Sequence, residues 1–154
     1  MSTINEAVRA WAKGIYPTEA GVELLIRDGK AIYERAPWLT ELEPVGDDRP
    51  RMVAVDVDEL LAGTGACSGG EQRLVRIAAS MLNGPPVDLA EEIPGLDRPH
   101  QVLVLAAIAH AAGSHEGSEL LYDENGKPTG FHQPGSLYPW PSRVSSVEST
   151  GLDG

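Results

Sequence analysis

The stretch Ser68-Gly-Gly-Glu-Gln-Arg-Leu-Val-Arg-Ile-Ala-Ala-Ser-Met-Leu82 constrains the fold more than any other part of the chain. Ser68 and Glu71 have capping-box spacing: the serine hydroxyl takes an amide of the first turn, and the glutamate reaches back to the cap amide. Leu74, Ile77, Ala78 and Met81 recur at i, i+3, i+4 and i+7. Val75 and Leu82 widen this stripe, and Arg73 and Arg76 fall on its polar side. Asn83-Gly84-Pro85-Pro86 stops the helix. An amphipathic helix of this kind has to bury its stripe against another apolar element.

The sequence offers one. Asp97 can cap and Pro99 can open a helix from Arg98 to Ala112, apolar nearly all round, with Gly113 positioned to end it. The two helices, 69–83 and 98–112, are expected to form the central pair of the core. Val102 to Ala112 is the longest near-apolar run and is far below the roughly 20 residues of a membrane span. The chain opens without a basic, apolar signal sequence, and its single Cys67 cannot form an internal disulfide, so a cytoplasmic location is expected.

Shorter elements flank this pair. Thr3 and Glu6 repeat the capping-box spacing ahead of Val8, Trp11, Ala12 and Ile15, which places a helix over about 4–13. A second helix is expected with Thr18 as cap, Val22, Leu25 and Ile26 inward, and Asp28-Gly29 as the stop. The two could form a helix-turn-helix, but a reading helix needs basic and amide side chains, and this one carries Glu19, Glu23, Arg27 and Asp28. Lys30 to Arg35 and Arg51 to Val57 are the expected strands of a small sheet, Asp58 the cap of a helical turn after it, and Asp88 the start of another.

The chain has 154 residues, 42 % of them hydrophobic, enough for one core, and residues 1–113 read as a globular helical core domain. The expected fold class is α+β, predominantly helical, with about five helices, a two-stranded sheet and an extended C-terminal segment. Residues 114–154 change character, with glycine, proline and serine throughout. Leu120 to Phe131 reads as a hairpin around Asn125-Gly126. Tyr122, Phe131, Tyr138 and Trp140 are half of the eight aromatics, whereas disordered tails are poor in them, so the segment is expected to dock, with the hairpin covering the core.

The net charge of −11 carries no basic stripe for nucleic acid and would repel anionic membranes. It favours a basic protein partner. Leu137-Tyr138-Pro139-Trp140-Pro141 holds two large rings on an extended, low-entropy backbone, so Phe131, Leu137, Tyr138 and Trp140 are the expected contacts with a protein partner or a second copy.

Other chemistry finds less support. Ser68-Gly69-Gly70 at a helix start could hold an anion, and with Glu71-Gln72 it resembles the signature loop of ABC-type ATPases, but no Walker A sequence accompanies it. Cys67 near a helix N-terminus, with His110 or His115 as base, gives a small-enzyme alternative. His110, His115, His132 and Asp123 suggest a metal site on paper. His110 and His115 are five apart across Gly113 and so do not share a helix face, and no metal or cofactor is expected. Glu41, Glu43, Asp47, Asp48, Asp56, Asp58 and Glu59 raise a second alternative, a nucleic-acid mimic inhibiting a DNA-binding protein.

Tyr16 to Leu25, Ser68 to Ser80 and Gly95 to His115 together resemble small acidic proteins encoded by actinobacteria and their phages or mobile elements. The resemblance covers about residues 16–116, implies an intracellular origin, and implies no activity and no catalytic residue. The function expected from the residues is non-catalytic binding of another protein.

Overall fold

The computed structural model describes residues 2–43, 46, 48–65 and 69–142. Among them the chain runs α1 (Ile4–Ala12), α2 (Tyr16–Asp28), β1 (Leu39–Glu41), β2 (Val53–Val55), α3 (Val57–Gly63), α4 (Gly69–Met81), α5 (Leu89–Glu92), a 3-10 turn (Ile93–Gly95), α6 (Arg98–Ala111), a second 3-10 turn (Ser114–Glu116), β3 (Glu119–Tyr122) and β4 (Pro128–His132). The class is α+β and mostly helical. No helix among the described residues is long and apolar enough to cross a membrane.

The core is organised differently from the expected pair. α4 and α6 both bury apolar faces, but each packs chiefly on α2, which lies between them. In α2 the residues Ala20, Gly21, Val22, Leu24, Leu25 and Ile26 are all buried. Gly21 explains the intimacy of the α2–α4 crossing. A Cβ there would lie 2.8 Å from the Ala78 carbonyl oxygen and 3.1 Å from the Leu82 side chain, so only glycine lets the backbones approach this closely.

α1 starts as its capping box requires, with the Glu6 amide donating to Thr3 Oγ1 at 3.2 Å. α2 begins at Tyr16, three residues earlier than a cap at Thr18 implies. Ile15 stands at the cap without a side-chain bond, and Pro17 occupies the first turn, where its missing N–H costs nothing. Glu19 reaches back to accept from the Gly14 amide at 2.8 Å, which satisfies the approach to the helix without Thr18. Gly29, at φ 84°, ends α2.

The expected strand at Lys30 to Arg35 is a loop, and the partner of β2 is β1. The register pairs Leu39 with Val55, Thr40 with Ala54 and Glu41 with Val53, antiparallel. Two facts displace the earlier segment. Trp38 Nε1 donates to the Ala31 carbonyl at 2.7 Å, using an acceptor that a ladder would need, and Arg35 takes φ 65°, which breaks an extended run. β2 ends at Val55 because Asp56, not Asp58, caps α3, its carboxylate accepting from the Glu59 amide at 3.1 Å.

α6 is not covered all round. Val104, Ala106 and Ala107 are buried, while Leu105 and Ile108 are 47 % and 48 % exposed. The hairpin expected to cover the core does not do so. β3 and β4 pair Glu119 with His132, Leu120 with Phe131 and Leu121 with Gly130, yet every residue of β3 is exposed and none of the hairpin joins the core cluster. Its turn is as expected: Asp123 accepts from the Asn125 and Lys127 amides, and Gly126 takes φ 78°.

Candidate functional site

Three side chains from separate elements converge at one end of α2 and α6. Glu19 lies in the first turn of α2, His110 in the last turn of α6, and His115 in the 3-10 turn that follows. Gly113 makes the convergence. At φ 78° it adopts the left-handed conformation that ends α6 and folds the chain back, so a spacing of five residues returns His115 over His110. The two histidines do not share a helix face, as their spacing across Gly113 implies, but the turn at Gly113 brings their rings together outside the helix.

The two imidazoles stack, with centroids 4.0 Å apart and planes 10° from parallel. Tyr16 closes on His115 edge to face at 4.8 Å. His110 Nε2 lies 2.7 Å from Glu19 Oε1, and the other carboxylate oxygen takes the Gly14 amide. One donor atom from each of Glu19, His110 and His115 fits within a mutual distance of 4.8 Å. His115 Nδ1 is buried without a hydrogen-bond partner. Partial burial of Glu19 raises its carboxyl pKa, but the Gly14 amide, the hydrogen bond to His110 and the nearby imidazoles outweigh this and hold it below the usual carboxylate range. Glu19 and His110 also line a cleft of about 290 Å³ together with Glu6, Arg9, Lys13 and Glu23. Asp123 and His132 are not part of the cluster.

The C-terminal segment borders this site. Trp140 packs partly buried against the core, 6.2 Å from the His110 ring, with the Arg27 guanidinium 5.0 Å from its own ring centre. Arg27 also donates to the Pro141 carbonyl at 3.0 Å, and the Leu137 amide donates to Ser114 Oγ at 2.7 Å. Glu23 fixes Arg27 from the i−4 position and pairs with Arg9 as well. Of the residues expected to contact a partner, Trp140 thus faces its own domain. Phe131, Leu137 and Tyr138 are 77 %, 91 % and 37 % exposed.

Cys67 and Ser68 lie outside the described residues. Gly69 and Gly70 open α4, and the His100 ring lies beside Gly70, its Nε2 3.0 Å from Asp28 Oδ1. Among the acids between 41 and 59, Glu41 clamps Arg51 together with Glu34, Arg51 Nε to Glu41 Oε1 at 2.6 Å and Nη2 to Glu34 Oε1 at 2.8 Å, and Asp56 serves as a helix cap. Glu41 and Asp56 are thus engaged within the chain itself. Asp47 lies outside the described residues.

The sequence carried a signal for the cluster in Gly113 between two histidines, at the end of an apolar run. Nothing in it pointed to Glu19 as the third member, because that contact depends on how α2 crosses α6. No family model, curated protein or solved structure matches the chain.

Proposed function

We propose that the protein is a non-catalytic binding module for another protein and that the β3–β4 hairpin, with Leu137 and Tyr138 beside it in sequence, is its contact surface. One observation carries this reading. Leu120, Leu121, Tyr122 and Phe131 are 40 %, 45 %, 61 % and 77 % exposed on a two-stranded hairpin that lacks a core of its own. Such a hairpin is marginal in water and gains stability when a partner covers it.

Charge selects the partner's chemistry. Glu116 precedes the hairpin, Glu119 lies on β3 and Asp123 and Glu124 in its turn, with Lys127 the one lysine or arginine between residues 116 and 132, and the whole chain carries −11. A second copy would lay acid on acid. A protein with an apolar patch rimmed by lysine and arginine meets both the exposed side chains and the field.

The test compares the full chain with a Leu121→Ser, Phe131→Ser double variant. A partner is captured from host extract, identified, purified and titrated against both proteins. The expected result is at least about tenfold weaker binding by the variant, as for loss of interface anchors, with an unchanged thermal midpoint and a wild-type affinity that falls with salt. Equal binding by the two proteins would remove the hairpin from the interface. Dimers of the wild type that dissociate in the variant, seen by sedimentation, would assign the surface to a second copy.

A further inference from the structure

We infer that Glu19, His110 and His115 form a site for one divalent transition-metal ion of the zinc class. Two imidazoles and one carboxylate are a donor set that such ions bind, with a further position left for water. The three donors come from a helix start, a helix end and a tight turn, so the fold rather than local sequence brings them together.

Several features of the cluster favour an ion over a simple aromatic stack. A stacked pair needs no carboxylate, yet Glu19 Oε1 is aimed at His110 Nε2 from 2.7 Å. The Gly14 amide, 2.8 Å from Glu19 Oε2, holds the carboxylate in that orientation, the kind of supporting bond that positions metal ligands. His115 Nδ1 is buried without a partner, a cost that coordination at this ring, with its attendant change of tautomer and tilt, would relieve. The cleft lined by Glu19 and His110 gives an ion a route in and room for its water.

The required rearrangement is small. Bonds of about 2.0–2.1 Å in a tetrahedral site set ligand atoms about 3.4 Å apart. The donors lie within 4.8 Å of one another, so no pair has to close by more than about 1.4 Å, and Glu19 Oε1 and His110 Nε2, 2.7 Å apart, have to open by about 0.7 Å. Imidazole lone pairs lie in the ring plane, and two stacked, nearly parallel planes do not meet at one ion, so one ring has to turn. His115 can do so, because it sits on a single 3-10 turn between Gly113 and Gly117.

The experiment titrates the untagged, metal-free full chain with ZnCl2 and CoCl2, and repeats both in the Cys67→Ser variant. The expected outcome is one ion per chain, four-coordinate Co2+ absorption bands, and a thermal midpoint that rises with Zn2+ in both backgrounds. Glu19→Gln and His115→Ala should each weaken Zn2+ binding by at least about tenfold, while His132→Ala leaves it unchanged. Glu19→Gln keeps the size of the side chain and decides the matter if His115→Ala does not fold, which circular dichroism would show. Absence of saturable binding would overturn the inference. So would an affinity untouched by Glu19→Gln, or one lost on changing Cys67 or His132.

Discussion

A glycine in a helix interior costs about 1 kcal/mol relative to alanine, so Gly21, in the middle of α2, has to be offset by what its missing side chain permits. Alanine at an open helical site would stabilise. Here the added methyl would meet the Ala78 carbonyl oxygen at 2.8 Å, and a backbone atom in a packed helix cannot move aside cheaply. Gly21→Ala is therefore expected to destabilise by about 1–3 kcal/mol, the cost of overpacking. Denaturant unfolding gives the sign directly, and a more stable variant would mean that α2 and α4 are farther apart than described. The same measurement separates two apolar residues that look equivalent in the sequence. Ile77 is 2 % exposed and Leu105 47 %. Ile77→Ala should cost about 2–4 kcal/mol because it leaves a cavity, and Leu105→Ala under about 1 kcal/mol because solvent already reaches the site.

At the scale of elements, caps and stripes were legible. Thr3, Asp88, Asp97 and Gly29 act where their spacing put them, because capping is a contact between residues within one turn. The strand at 30–35 was misread, since a tertiary bond from Trp38 and a left-handed Arg35 decided the pairing. The histidine cluster was not legible for a related reason, as the left-handed turn at Gly113 decides where His115 falls once α6 has ended. The C-terminal segment divides into two elements with different roles. The hairpin lies off the core, whereas residues 137–141 are tied to it through Ser114, Arg27 and Trp140. Sequence reasoning gave Trp140 to a partner, but its ring is occupied by Arg27 and the core. Trp140→Ala should thus cost about 2 kcal/mol, from lost burial and a lost cation–π contact. Phe131→Ala, at 77 % exposure, should leave stability within about 0.5 kcal/mol. Thermal melts of the two variants would check this, and equal melting points would detach Trp140 from the fold.

For the whole molecule, acidification has two opposing effects. The chain carries −11 at neutral pH and approaches neutrality near pH 4.7, so lowering the pH first relieves self-repulsion. Against this stand carboxylates held by guanidinium groups. Burial raises the Glu23 pKa, but hydrogen bonds and charge from Arg9 and Arg27 more than offset it and place the folded value below the ordinary one. Glu34 and Glu41 shift the same way beside Arg51, although both are exposed and contribute little through solvent. A lowered folded pKa fixes the sign. Between the folded and unfolded values the unfolded chain binds more protons, so the contribution of Glu23 is complete above the unfolded pKa, about 4.3, and is lost as pH falls through the folded one. Stability is therefore expected to be greatest near about pH 5 and to fall steeply below about pH 4. Glu23 also holds Arg27 against Trp140 and Pro141, so its protonation should loosen the C-terminal segment before the core unfolds. Denaturation of wild type and Glu23→Gln from pH 7 to pH 3, followed by tryptophan fluorescence and by far-ultraviolet dichroism, tests both points. The variant should be less stable at neutral pH and lose less on acidification, the two curves converging at low pH, and the wild-type fluorescence change should precede the loss of helix. Parallel curves at every pH would show that the Arg9–Glu23–Arg27 cluster does not set the acid limit of the fold.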